Sequence, residues 1–394
     1  MPLSDMLLDL NDSCEQYGKK TMVIGRKVKK VNLRILNEAC QNCTRNITQC
    51  YNPQCVAADG YERGILTVNR MLPGPSIQVT YQNNHNLFVL QVCYGDKIVV
   101  DVKNKMPSQS TTIHWHGIFQ RGTPFYDGVP MITQCPIVGG TTFRYQFYAN
   151  QPGTFYWHSH DGTQKSDGLQ GSLVVRRPRV HEPNAQLYDY DLPAHVIMIS
   201  DWAHRPSIDH FPGLAEPVTD NYEVFFLING RGRYTLTLLC VKYLLKDPVE
   251  GNTTTPYSVF RVDRGKRYRF RVIGAICIHC PALLSIDGHN LTIIDTDGNA
   301  VKPVEVEALH IHAGLYQFWN DSRERYDFVL NATNEVNSYW IRVKGMGKCA
   351  PDETAQQRAV LQYKGAERTE PREPEVKDED EEVSPVVTVR TKHT

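Results

Sequence analysis

Residues 111–120 read TTIHWHGIFQ and residues 153–162 read GTFYWHSHDG, so each stretch carries a His-x-His pair. In a β-strand, residues i and i+2 project from the same face. His114 and His116 therefore point together with Trp115 behind them, and His158 and His160 do the same about Ser159. If the two strands are neighbours, four imidazoles converge. A lone buried histidine is satisfied by one backbone partner, but four facing one another repel once protonated. A metal resolves this by taking the neutral ring nitrogens. Trp115 and Trp157 are expected to be core.

The flanking sequence supports strands. GILTVNR, DKIVVDVKN, TTFRYQFYA and GSLVVRRP alternate apolar and polar residues, with LPGP and QPGT as breaks. Residues 61–178 are therefore expected to form a β-sandwich or barrel. RRPRVHEPNAQLYDYDLP reads as a linker, assigned to 179–191. A second β-rich unit, 192–364, follows in HVIMISDW, YSVFRVDRGKRYRFRVIG, LTIIDTDG, ERYDFVLNA and NSYWIRVKG. The two units read as one kind of domain used twice, without a strict internal repeat. Residues 1–60 read as an irregular cysteine-bearing lead. Residues 365–394, charged and Pro-containing, read as a disordered acidic tail.

The chain has 394 residues, with 43 basic against 43 acidic side chains. That balance gives no steering toward nucleic acid or an anionic membrane. No apolar run approaches the roughly 18 residues of a membrane-spanning helix. Of 11 cysteines, Cys40, Cys43, Cys50 and Cys55 crowd together as C-x2-C-x6-C-x4-C. That spacing suits half a zinc site or a small disulfide knot. Sequons at Asn11, Asn42, Asn46, Asn252, Asn290, Asn320 and Asn331 favour the knot, an oxidising compartment and a secreted protein. The first residues, MPLSDMLLDLNDSCEQ, lack the basic start and apolar core of a signal peptide, so the true start is expected to lie upstream.

Imidazole-rich sites suit copper, zinc, iron and nickel. A catalytic zinc site collects three protein ligands and leaves one position open. Histidines two apart in a strand are about 6.6 Å apart at the backbone, so two such pairs favour a multinuclear site. A zinc hydrolase using the same pairs remains the weaker alternative.

The two histidine motifs, together with NRMLPGPSIQV, CYGDKIVVDVKN, FYDGVPMITQCPI, LSIDGHNLTIIDTDG and ERYDFVLNA, resemble the multicopper oxidases, most closely the laccase-type enzymes of insects. The resemblance runs over roughly residues 61–350. It implies an all-β fold of two cupredoxin-like Greek-key domains, agreeing with the strand patterning. It implies copper as cofactor: His114 as a ligand of the type 2 ion, and His116, His158 and His160 as ligands of the type 3 pair. Asp127, in FYDGVP, matches a carboxylate that orients ligand water and relays protons near the type 2 ion; an Asp before Gly is otherwise a common turn residue. Cys135 is expected to pair with Cys277 or Cys280, joining the two units.

The implied reaction removes single electrons from phenols, aromatic amines or metal ions and passes them to dioxygen, which becomes water. The family's trinuclear centre takes eight histidines from four His-x-His motifs, of which this sequence holds two. No cysteine here is flanked by histidine on both sides, as the type 1 copper requires. His310 and His312, in ALHIHAG, form one further pair, expected to be structural because the family holds no copper there. Residues 80–92 and 315–323 interrupt otherwise familiar text and read either as long loops or as intrusive gene sequence, the second being favoured. The chain is thus expected to be a fragment of a secreted laccase-type oxidase that does not turn over alone. The alternative is a non-catalytic extracellular protein that binds copper or a partner.

Overall fold

In a computed structural model, residues 19–27, 50, 55–61, 63–76, 92–210, 225–234, 253–277, 281–312, 324–349 and 355–372 are described. Residues 80–91 and 315–323, the two interrupting stretches but for Val92, lie outside them, as do Cys40, Cys43 and Cys280. Alternating sequence becomes strand throughout, with short 3-10 turns and no α-helix among the described residues. The all-β class is as expected. No described helix is long and apolar enough to cross a membrane.

The first pair of sheets encloses the core built by Trp115, Trp157, Tyr145, Phe147 and Phe155. One sheet orders the strands Ile65–Val68, Lys19–Lys27, Lys97–Asn104 and Thr142–Tyr148. The other orders Val92–Cys93, Gln170–Arg176, Gly153–Ser159 and Ile113–His116. The Lys19–Lys27 strand corrects the expectation of an irregular lead. It pairs parallel with Lys97–Asn104 and antiparallel with Ile65–Val68. The run TMVIG supplies β-forming residues, and insertion between two strands satisfies backbone groups that would otherwise stand at open edges.

The second pair is larger. Six strands, from Phe225–Ile228 to Asn299–Val306, face five that run from Val259–Val262 to Ala308–Ile311. Phe270 and Phe328 stack between them at 5.3 Å. The stretch expected as a linker is tied down: Arg179 donates to the Ala185 and Tyr188 carbonyls, and Asp191 pairs with Arg176 and Arg271. Part of the stretch expected as a tail is ordered. Residues 365–372 are described, and Glu370 pairs with Arg233 at 2.5 Å. Cys50, Cys55, Cys93 and Cys349 are disulfide-bonded.

A buried ionic cluster joins the two sandwiches. Thr154 Oγ1, on the strand that carries His158, donates to Asp327 Oδ1 at 2.6 Å and accepts from Arg271 at 2.7 Å. Arg269 and Arg271 both donate to Asp327 Oδ2. Arg271 also reaches Asp191 at 2.6 Å. Burial pushes the Asp191 carboxyl up, but Arg176 and Arg271 outweigh it and hold it well below the usual carboxylate range. Beside the cluster, Tyr156 and Val174 of the first sandwich pack with Val196, Met198, Ile273 and Ala275 of the second.

Asp295 lies across the ladder from Asp327. Burial, then the Asp327 charge, raises its carboxyl to about 7. The unfolded value is about 3.9, so the folded chain holds an extra proton between the two values. Stability from this group is full below about 3.9 and is lost as pH rises to about 7. Asp295→Asn keeps the uncharged form at every pH. The melting temperature is expected to fall less between pH 5 and pH 8 in that variant than in the unaltered chain, with each kcal/mol worth about 2–4 °C in a unit of this size. Parallel pH profiles for the two proteins would contradict this assignment.

Candidate metal centre

Register builds the site. The strands Ile113–His116 and Gly153–Ser159 pair antiparallel, with His114 opposite His158, Trp115 opposite Trp157 and His116 opposite Tyr156. Alternation sends both tryptophans into the core, fully buried, and all the imidazoles to the other face. Trp157 packs directly on Gly171 of the next strand, where a Cβ would lie 2.4 Å from the indole. The strand spacing behind the histidines is thereby fixed.

The coordinating atoms of His114, His116 and His158 lie within 4.8 Å of one another. His160 sits just past the strand end, exposed, its ring 5.5 Å from that of His114 and 6.0 Å from that of His158. His158 is 2% exposed, His116 8%, and the His114 side chain 18%, so the cluster opens on the His114 and His160 side. All four histidines singled out in the sequence thus come together.

Hydrogen bonds set which ring nitrogen is offered. A carbonyl can only accept, so His158 Nδ1 donates to the Ser159 carbonyl at 2.8 Å. Its Nε2 then carries the lone pair, 3.5 Å from His116 Nδ1. His114 Nδ1 donates in the same way to the Asp127 carbonyl at 2.8 Å, leaving its Nε2 free to coordinate. Burial, then Lys165 and the His114 and His116 rings, hold His158 well below its ordinary value, and the ring stays neutral. Neutral, oriented imidazoles are the donors that copper or zinc takes. The donor set therefore fits such an ion.

Asp127 reaches the site through a tight turn. Pro124 starts a 3-10 turn over Pro124–Tyr126, and Asp127 follows it. Gly128 then passes over the Ile113 strand at φ +85°, where a Cβ would lie 1.8 Å from the Ile113 carbonyl oxygen. Only glycine permits that approach. It brings the Asp127 carboxylate to 3.3 Å from His114 Nδ1, with the Asp127 side chain 28% exposed.

Two neighbours were not read from the sequence. Tyr156 lies 4.6 Å from the His116 ring and 5.2 Å from the His158 ring. Its signal was present, since it stands two residues before His158 on the same face. Lys165 is 7% exposed and bonds the Tyr156 hydroxyl at 3.3 Å; no local pattern marks it. The expected bridge from Cys135 to Cys277 or Cys280 meets a different outcome. Cys135 is an exposed thiol, so its expected bridge is not formed. The Cys277 thiol lies 3.9 Å from the Ala275 carbonyl, and its backbone N–H donates to Asp201.

Residues 49–180 match a family profile described as Multicopper oxidase, and residues 194–366 match a second with the same description. The chain belongs to the multicopper oxidase family. It is 38% identical over 318 residues to Laccase-3 of Trametes villosa, covering 80% of this chain and 57% of that protein. To Laccase-2 of Agaricus bisporus it is 35% identical over 358 residues, covering 86% and 60%. The crystal structure of the laccase from Botrytis aclada superimposes with a TM-score of 0.66 at 27% identity, over 93% of this chain and 57% of that one. This multicopper oxidase chain spans little more than half the length of the curated relatives it matches. The relatives named here are fungal, and the expected likeness to the insect branch is not supported.

The turn makes a sharp expectation. Gly128→Ala forces a methyl onto a backbone carbonyl and a side chain into the left-handed region, at about 2–4 kcal/mol together. A urea titration is expected to show that loss of stability, and an unchanged midpoint would contradict the close approach over Ile113.

Proposed function

We propose that this chain is the part of a laccase-type multicopper oxidase that supplies half of its oxygen-reducing copper centre. The reading is carried by one observation: three imidazole donors within 4.8 Å on one face of an antiparallel strand pair, two of them fixed through Nδ1 to backbone carbonyls. We take residues 61–178 and 192–364 as its two cupredoxin-like units. His114 is assigned to the type 2 copper, and His116, His158 and His160 to the type 3 pair. Copper bound there supplies the one-electron couple through which dioxygen is reduced to water.

The protein's own part is orientation and proton handling. His158, buried and neutral, presents Nε2 without first having to lose a proton. Asp127 holds the His114 proton at Nδ1 through its carbonyl, while its carboxylate, 3.3 Å away and part-exposed, can exchange protons with water. That geometry suits a relay at the rim of an oxygen-reducing centre. The Trp115 and Trp157 packing keeps the imidazole face from shifting. From the family, the electron donors are phenols, aromatic amines or metal ions.

These 394 residues contain no His-Cys-His and only half the histidines of a trinuclear centre. The stretch in hand is therefore proposed to bind copper without oxidising substrate by itself. Secretion is the compartment we infer, supported by the bonded cysteines and by sequons at Asn290 and Asn331, both exposed.

The test is copper uptake by the full chain, read by elemental analysis, together with oxygen consumption in the presence of a phenol. The unaltered chain is expected to retain copper through gel filtration, His158→Gln to lose most of it, and neither to consume oxygen. Copper retention unaffected by His158→Gln would overturn the site. Sustained oxygen uptake would overturn the claim of an incomplete centre. Zinc retained in preference to copper, and lost in His158→Gln, would favour the hydrolase alternative.

A further inference from the structure

The second sandwich holds a histidine pair that the oxidase reading leaves unused. His310 lies on the Ala308–Ile311 strand, at the edge of the five-stranded sheet. On one side that strand pairs with Ala282–Ile286, His310 opposite Leu283, and among the described residues nothing pairs its other side. His312 follows two residues later, on the same face. Both side chains are half-buried.

Their rings differ from those of His195 and His289 in the same unit. His195 Nε2 donates to the Arg261 carbonyl, and His289 Nδ1 donates to the Asp287 carbonyl. Each of those rings is anchored to backbone through one nitrogen, and His289 Nε2 also meets the Tyr363 hydroxyl at 2.8 Å. His310 and His312 instead turn toward each other, with centroids 4.3 Å apart and planes crossed at 71°. His310 Nδ1 stands 3.0 Å from His312 Nε2. Side chains two apart on a strand start about 6–7 Å apart at the backbone, so the rings have leaned inward to meet.

The 3.0 Å contact is a hydrogen bond, one ring N–H donating to the other ring's nitrogen, and with that proton released the two nitrogens stand at the bite of a chelate. Two nitrogens 3.0 Å apart, each about 2.0–2.1 Å from one ion, subtend roughly 90–100° at it, within the range of tetrahedral to square sites. A carboxylate stands beside them. Glu324 accepts a hydrogen bond from the His312 backbone N–H at 3.0 Å, while its own carbonyl accepts from Gly274 N–H at 3.0 Å. The backbone of Glu324 is thereby fixed, and its carboxylate, which also bonds the Tyr326 hydroxyl, would exchange these hydrogen bonds for the ion to become a third ligand. Two imidazoles and a carboxylate form a donor set for zinc or copper rather than for calcium or magnesium, which take oxygen ligands.

We propose that His310 and His312, with Glu324 beside them, form a divalent transition-metal site in the second sandwich, built from ligands wholly separate from the His114 cluster. Its occupant is an ion of the Zn2+ or Cu2+ class. The site clips the edge strand to the segment that begins the Arg325–Ala332 strand. Arg325, the next residue, reaches back to the Thr154 carbonyl and presses on Gly117, next to His116. An ion here would therefore stiffen the seam between the two sandwiches.

The test uses the unaltered full chain. Accessible imidazoles are carbethoxylated with diethyl pyrocarbonate, with and without added Zn2+, and each modified histidine is located by peptide mass spectrometry. Zn2+ is expected to lower modification of His310 and His312 several-fold, while Mg2+ leaves it unchanged. A second readout counts bound Zn2+ in His310→Gln, in His312→Gln and in His158→Gln, with circular dichroism as the check on folding. Each of the first two is expected to lose an equivalent that His158→Gln keeps. Equal modification of His310 and His312 with and without Zn2+ would overturn the proposal, whatever the variants do. So would full Zn2+ stoichiometry in folded His310→Gln.

Discussion

The register of one antiparallel strand pair, Ile113–His116 against Gly153–Ser159, governs this molecule. His114 stands opposite His158, and from that pairing the rest follows. Because side chains alternate, the same register buries Trp115 and Trp157 in the first core and turns every imidazole outward. A slip of one residue would bury histidines and expose tryptophans, so the core and the metal centre specify each other. The Gly153–Ser159 strand does three jobs along one face. Thr154 bonds the ionic cluster of the second sandwich, Tyr156 packs at the seam, and His158 enters the centre. The position of the imidazoles is thus referred to both sandwiches at once.

The ionic seam has a different physical character from the cores. Arg269, Arg271, Asp191 and Asp327 are all buried or nearly so, and each carboxylate meets two guanidinium groups. Burying such charges costs energy that the pairing roughly offsets, so the cluster contributes little net stability. Removing one member leaves an uncompensated charge, which makes the arrangement hard to rearrange. It therefore fixes how the sandwiches meet more than how tightly each one folds. Asp295, opposite Asp327, is the carboxyl whose affinity for a proton is raised by burial and by the Asp327 charge.

Much of this was legible in the sequence, and the reasons are local. Period-two alternation in DKIVVDVKN and TTFRYQFYA gave strands, and His-x-His within such text gave a shared face. Asp127 was legible only through family likeness, because its placement depends on Gly128 crossing the Ile113 strand, a contact that local pattern does not encode. The Lys19–Lys27 strand was missed because its partners lie about 40 and 80 residues away, and a short apolar run carries no register by itself. Thr154 and Asp327 are 173 positions apart, and neither looks unusual alone. The His310 and His312 pair was read as structural, since the sequence shows their spacing but not that the rings lean to 3.0 Å.

The central claim is that the imidazoles of this strand pair hold copper. The most direct measurement is a crystal structure of the copper-loaded chain with anomalous scattering recorded on both sides of the copper edge. The account predicts an anomalous peak within bonding distance of the ring nitrogens of His114, His116 or His158. A copper-loaded crystal with no peak at that cluster would contradict it.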